Sequence, residues 1–157
     1  MNSIIREMRP EEFPRLEMFL YEAVFQMPGS VPLPRNIVHS PALRPYMEDF
    51  GRRPGDISLC AETAGRVIGA AWTRLMQGFG HVDDATPELA MAVLAPWRGQ
   101  GIGTALLCAL TKRLQENGFH ALSLSVQKDN PALRLYRRTG FCVVHENKEE
   151  LVMKLIF

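Results

Sequence analysis

Three glycines in five residues, set where an apolar strand-like run meets an apolar-periodic helix, constrain this chain more than anything else in it. Leu89–Leu94 leads through Trp97-Arg98-Gly99-Gln100-Gly101-Ile102-Gly103-Thr104 into Ala105-Leu106-Leu107. Glycine has no Cβ, so the backbone there can come close to a ligand. The first turn of the helix offers unpaired N–H groups and the positive end of the helix dipole, which together suit phosphate. The local fold is therefore strand–loop–helix, and its chemistry is that of a phosphate-bearing cofactor. No Lys-Ser/Thr follows the last glycine, as a Walker loop requires. A dinucleotide fingerprint would sit near the start of a βαβ unit, with an acidic residue about 20 residues further on. Here the next strand closes on Ser123-Leu124-Ser125-Val126.

The spacing Arg98-x-x-Gly101-x-Gly103 resembles the acyl-CoA loop of the GNAT acetyltransferase superfamily. A second stretch, Asp129-Asn130-Pro131-Ala132-Leu133-Arg134-Leu135-Tyr136-Arg137-Arg138-Thr139-Gly140-Phe141, resembles the other signature of that family. That signature is an Asn, a short helix ending Leu-Tyr, and Gly-Phe entering a new strand. Asn130 suits an N-cap, Pro131 the first helical position and Gly140 the C-terminal stop. Two motifs in the right order with one strand between them carry the resemblance over nearly the whole chain.

The chain has 157 residues, enough for one domain with a real core. Its 18 basic and 17 acidic residues leave a net charge of +1, and 46% of its residues are hydrophobic. That is the balance of an ordinary globular protein, without the basic surface that nucleic acid requires. No run reaches membrane-spanning length, and the first residues hold no signal-peptide core. Cys60, Cys108 and Cys142 lie in apolar contexts without metal-ligand spacing, so buried reduced thiols, no metal and a cytoplasmic setting are expected.

Ile4–Met8 reads as a strand, and Pro10 opens a helix carrying Phe13, Leu16, Phe19, Leu20 and Val24. A proline-rich loop follows, then a second helical segment over about Pro41 to Phe50. Ile57–Glu62 and Arg66–Leu75 flank Thr63-Ala64-Gly65 as a hairpin. The main helix runs from about Gly101 to Glu116, a strand covers Ala121–Val126, and two strands near Phe141–His145 and Leu151–Ile156 close the chain. The expected class is α+β, a single GNAT-like domain whose mixed sheet of about six to seven strands is flanked by about four helices.

The resemblance implies an N-acyltransferase that moves an acetyl group from acetyl-CoA to a primary amine by direct transfer in a ternary complex. No persuasive nucleophilic Cys or Ser argues for a covalent route. It implies that N–H groups of Gly99, Gln100, Gly101, Ile102, Gly103 and Thr104 cradle the pyrophosphate, with Arg98 beside them. It implies that the backbone of Met91, Ala92 and Val93 serves the acyl end, although these residues read equally well as core strand. Tyr136, at the Leu-Tyr position, would protonate the leaving sulfur; the other reading is a core tyrosine against Phe141. Asn130 stands six residues before Tyr136 and Asp129 seven, and either could reach the cofactor.

A lysine-like amine, with pKa ~10.4, must lose a proton before it attacks. Glu88 is the carboxylate nearest in sequence to the loop-entering strand, but it is five residues from Val93 where six is usual, and a one-residue shift reverses the face. Base and plain strand residue are both open, as is a water chain placed by Ser125, or His81, Asp83 or Asp84 from the preceding loop. Acceptor-pocket candidates are Phe25, Tyr46, Trp72, Arg74, His81 and Asp83, for a small-molecule or peptide amine. Family members often dimerise, and an exposed edge near Leu151–Ile156 would invite a homodimer. A non-catalytic acyl-CoA-binding regulator on the same fold is the alternative.

Overall fold

The structure, a computed structural model, describes residues 2–157. The strands are β1 (Ile4–Glu7), β2 (Ile57–Thr63), β3 (Arg66–Arg74), β4 (Glu88–Val93), β5 (Ala121–Gln127), β6 (Cys142–Glu146) and β7 (Glu150–Ile156). The helices are α1 (Leu16–Ala23), α2 (Ile102–Glu116) and α3 (Ala132–Thr139), with 3-10 turns at Pro10–Arg15, Arg35–His39, Arg44–Tyr46 and Ala95–Trp97. All seven strands form one sheet in the order β1-β2-β3-β4-β5-β7-β6. Neighbours are antiparallel except β4 and β5, which run parallel and share a single register pair, Glu88↔Ser123. This is the expected α+β class with a mixed sheet, carrying three α-helices among the described residues where about four were expected.

Proline explains the missing helix. Pro45 lies in the middle of the Pro41–Phe50 segment, removes an N–H and disfavours helical dihedrals in the residue before it. The segment forms turns around Arg44–Tyr46 instead. Pro14 acts likewise on the first helix, so that Pro10–Arg15 is 3-10 and regular α-helix starts at Leu16. The hairpin between β2 and β3 turns on Ala64 and Gly65, both at positive φ, as a tight two-residue turn demands.

Each face of the sheet buries its own cluster. On one, Leu106, Leu107, Leu110 and Leu114 of α2 pack on Leu59, Ile68, Leu89, Leu122 and Leu124. On the other, Leu16, Phe19 and Leu20 of α1 pack on Cys60, Val67, Ala70 and Trp72. With both faces covered, β3 is buried at every position after Arg66, which is why it reads as a nearly unbroken apolar run. Trp72 belongs to this core, its Nε1 donating to the Tyr46 carbonyl at 2.9 Å.

The closing strands differ from expectation in one respect. β7 is interior, paired with β5 on one side and β6 on the other. The exposed edge is β6, whose residues are all solvent-accessible, and Leu151–Ile156 has no free edge. Of the three cysteines only Cys60 is buried; Cys108 and Cys142 are exposed free thiols, on the outer side of α2 and on the edge strand. No helix is long and apolar enough to cross a membrane, and no group of acidic, His or Cys side chains among the described residues is placed to hold a metal.

Two buried carboxylates tie loops to the sheet. Glu12 accepts both guanidinium nitrogens of Arg6 at 2.8 and 2.9 Å and the Arg9 N–H at 2.9 Å, fastening β1 to the 3-10 turn after it. The Arg6 hydrogen bond holds the Glu12 carboxyl down at about 2. Asp56 accepts Nε and a terminal nitrogen of Arg74 at 3.0 and 2.8 Å, with both side chains fully enclosed. Arg74 also donates to the carbonyls of Pro45 and Glu48. It is a structural ion-pair partner and not an acceptor-pocket residue, because four of its five N–H donors are spent inside the fold and the side chain is enclosed.

Burial alone would push the Asp56 carboxyl up, but Arg74 and the N–H groups of Arg53 and Gly51 outweigh it and hold the group below its ordinary value. A carboxyl depressed in the folded state adds stability above its unfolded pKa of ~3.9 and loses it as pH falls through the folded value. Asp56→Ala, which strands a buried guanidinium, is expected to cost about 3–5 kcal/mol in urea unfolding at neutral pH. It should also shrink the loss of stability on acidification below about pH 4. An unchanged urea midpoint would show that the pair is not needed.

Candidate active site

The parting of β4 from β5 shapes the site. β4 keeps its ladder with β3 along its whole length, from Arg74↔Glu88 to Gly69↔Val93. β5 instead follows β7, from Ala121↔Ile156 to Gln127↔Glu150. Beyond Glu88 and Ser123 the two parallel strands diverge and leave a split in the sheet. Leu94 N–H donates to the Ile68 carbonyl at 2.8 Å. Antiparallel alternation then turns the peptide groups of Ala90 and Ala92 toward β3, and those of Met91 and Val93 toward the split. The Val93 carbonyl is taken by Arg98 Nε at 2.7 Å, so the N–H groups of Met91 and Val93 are the donors that face it.

A cleft of about 750 Å³ opens along the mouth of the split. Gly99 and Gly101 stand there at φ +74° and +81°, backbone that L side chains rarely adopt, and a Cβ on either would meet only open space. The first backbone bond of α2, from Ala105 N–H to the Gly101 carbonyl, leaves the N–H groups ahead of it free. Gly103 has another duty: a Cβ there would press to 3.2 Å from Leu135, so it lets α2 and α3 pack closely. Arg98, Arg134 and Arg138 border the cleft, and Arg138 also donates to Thr104 Oγ1 at 3.4 Å. Free N–H groups, glycine-cleared space and three guanidinium groups make a fitting bed for a diphosphate.

The structure brings Met91, Ala92, Val93, Arg98, Gly99, Gly101, Ile102, Gly103, Thr104, Asn130 and Tyr136 to this cleft. Gln100 is not among its lining residues, and its amide folds back to the Pro96 carbonyl at 3.4 Å. Asn130 caps α3, its Oδ1 accepting the Ala132 N–H at 2.9 Å, whereas Asp129 is exposed and away from the cleft. Tyr136 is buried edge-on to Phe141 and takes no side-chain hydrogen bond among the described residues. Burial pushes its phenol up to about 12, so it is protonated at neutral pH.

Through the split lies a second chamber of about 360 Å³, sharing Met91, Tyr136 and the stretch Ala23–Phe25 with the first. Tyr46 and Phe79 stand parallel on its wall with ring centroids 6.5 Å apart. Ser125 and Glu150 line it too, with the Ser125 hydroxyl donating to Glu150 Oε2 at 3.2 Å. Of the acceptor candidates, Phe25 and Tyr46 reach this chamber and Trp72 and Arg74 do not. His81 is hydrogen-bonded to the Met76 carbonyl and Asp83 is paired with Lys154, and neither lines it.

Glu88 lies outside both cavities. Its Oε1 accepts the Tyr46 hydroxyl at 3.0 Å and the Gly80 N–H at 2.8 Å, and its Oε2 accepts the Gly78 N–H at 2.7 Å. The carboxylate is 2% exposed and braces the Gly78–Gly80 loop that carries Phe79. Gly80 rests against β5, where a Cβ would come within 2.7 Å of the Leu124 and Ser125 backbone. The one-residue offset noticed in the sequence has this outcome: Glu88 still belongs to the only β4–β5 register pair, below the point where the strands part. Phe79 and Glu150 escaped notice as site residues because only the loop brace and the β5–β7 pairing bring them in.

A split parallel pair, with a glycine-cleared phosphate bed at its mouth and a second chamber behind, is the architecture of a protein that takes a long phosphate-bearing ligand. The chain belongs to the acetyltransferase (GNAT) family, whose model matches residues 5–141. It is 37% identical over 89 residues to a mycothiol acetyltransferase of Arthrobacter sp. (strain FB24), covering 56% of this chain and 28% of that protein. It is 34% identical over 101 residues to an L-methionine sulfoximine/L-methionine sulfone acetyltransferase of Pseudomonas aeruginosa, covering 61% of this chain and 56% of that protein. The chain thus spans well under two thirds of the length of either relative. Its fold matches that of PaiA N-acetyltransferase from Thermoplasma acidophilum in complex with coenzyme A, with TM-score 0.75, 17% identity and full coverage of both chains.

Glu88→Gln tests the brace. An amide nitrogen would face an N–H or hydroxyl donor, leaving a buried polar group unpaired at a cost of about 1–3 kcal/mol. Thermal unfolding should show that loss; wild-type stability would sink the bracing role.

Proposed function

We propose that this chain is an acetyl-CoA-dependent N-acetyltransferase that acts on a primary amine by direct transfer in a ternary complex. The observation that carries this reading is the meeting of two chambers at Met91 and Tyr136. One chamber is fitted for a diphosphate and the other has no such fittings. Acetyl-CoA, when bound, supplies an acetyl thioester and a thiolate leaving group. Gly99, Gly101, Ile102, Gly103 and Thr104 hold the pyrophosphate through backbone N–H groups, with Arg98, Arg134 and Arg138 around it. Asn130 borders the same cleft from the start of α3.

The Met91 N–H points into the split, where a donor would meet the charge that develops on the thioester oxygen. Tyr136 keeps its proton at neutral pH and stands between the chambers, so it can hand that proton to the departing sulfur. Glu88 acts on catalysis through the loop it braces. The named relatives support acetyl transfer, and because their names carry different acceptors they leave the amine open. Three free cysteines accord with a reducing, cytoplasmic setting.

Thermal unfolding with acetyl-CoA, CoA, ATP and NAD tests the cofactor. A ligand at about 100 times its Kd should add about 2.7 kcal/mol of stability. Acetyl-CoA and CoA should do so and ATP and NAD should not; no response to either CoA species would overturn the reading. Tyr136→Phe should keep that response while turnover falls about 10²- to 10⁴-fold. Unchanged turnover would remove Tyr136 as the acid. Because a phenol held at about 12 stays protonated, its titration should impose no alkaline decline in rate up to about pH 10.

A further inference from the structure

The two chambers differ in charge. The cleft for the phosphates is bordered by three arginines and one carboxylate, Glu22, which pairs with Arg98 at 3.4 Å, whereas the second chamber has no cationic lining residue and a single carboxylate, Glu150. Its other lining residues are mostly apolar, among them Leu20, Phe25, Ile37, Leu43 and Leu124, with the Tyr46–Phe79 pair; Ser40 and Gln127 add neutral polar groups. Phe79 is 50% exposed, an aromatic face left uncovered although the loop beneath it is fastened by Glu88. Glu150 begins β7 opposite Gln127, is only partly buried, and uses one oxygen to accept the Ser125 hydroxyl. An occupant of this chamber therefore finds a large apolar surface, stacking partners and one negative charge.

We propose that the acceptor is a primary arylalkylamine without a carboxylate, its ring among Phe25, Tyr46 and Phe79 and its ammonium on Glu150. This assignment rests on the acetyl-transfer reading above. An amino acid with a free carboxylate would bring that charge beside Glu150 into a chamber whose lining holds no cation to meet it. A long polyamine would leave its further ammonium groups without partners in the same place. About 360 Å³ is at the small end of ligand chambers and suits one ring with a short amine arm.

Glu150 also has a place in the reaction. The ammonium gives one proton to Glu150, directly or across one water held by Ser125, and becomes a nucleophile. A C–N bond then forms at the thioester carbonyl carbon and the C–S bond breaks, its electron pair going to sulfur. The amine nitrogen loses a second proton to solvent, and sulfur takes one from Tyr136, which solvent restores. The products are the amide, the free thiol and one released proton.

The test is thiol release with acetyl-CoA and matched acceptors: phenethylamine and phenylalanine, tryptamine and tryptophan, spermidine, and a short peptide with N-terminal alanine. Each carboxylate-free aryl amine should exceed its amino acid in kcat/KM on the order of 100-fold. Glu150→Gln should raise KM for phenethylamine on the order of tenfold and lower kcat, while stabilisation by acetyl-CoA stays at the wild-type level. Preference for phenylalanine, spermidine or the peptide overturns the acceptor assignment. So does inactivity with every amine, or a Glu150→Gln variant with wild-type kcat and KM. Failure of acetyl-CoA to stabilise the wild-type protein would instead overturn the transferase reading itself.

Discussion

One hydrogen-bonded pairing, and its failure to continue, organises this molecule. β4 and β5 meet at Glu88 and Ser123 and then separate, because β4 stays with β3 while β5 stays with β7. A parallel pair that continued would have consumed the Met91 and Val93 peptide groups in a ladder. Parted, it presents them to whatever lies in the split, and two chambers meet there at Met91 and Tyr136. The parting also has a brace: Glu88 collects two backbone N–H groups and a tyrosine hydroxyl, holding Gly80 against the β5 backbone.

The split separates charge as well as space. Arginines and free helix N–H groups gather at one mouth, and aromatic rings with a lone carboxylate gather at the other. Tyr136 stands on the boundary, buried enough to keep its proton and without an internal hydrogen bond to hold that proton back. In the proposed reaction the acetyl-CoA and the amine would lie on opposite sides of the same residue. The main groups on the path between them belong to the backbone and to this one phenol.

Much of the phosphate side was legible in the sequence because its determinants are local. Positive φ at Gly99 and Gly101, the open first turn of α2 and the Asn130 cap each follow from a few adjacent residues. The second chamber was not, because its determinants are contacts between distant segments. Arg74 stood among the acceptor-pocket candidates, but Asp56 and two loop carbonyls occupy it. Glu88 looked like a candidate base by position along the chain, yet its side chain turns under a loop and away from both chambers. Phe79 and Glu150 carried no pattern at all, as an aromatic in a glycine-rich loop and an acid in a charged turn are ordinary.

Turn and helix chemistry settled the strand–loop–helix unit, the hairpin at Ala64-Gly65 and the short helix after Asn130, since short-range sterics and capping decide such features residue by residue. The sequence could not show that β7 would insert between β5 and β6, or which carboxylate would face the second chamber. Those outcomes rest on pairing and burial between residues far apart in the chain, and only the folded sheet brings the competing partners together.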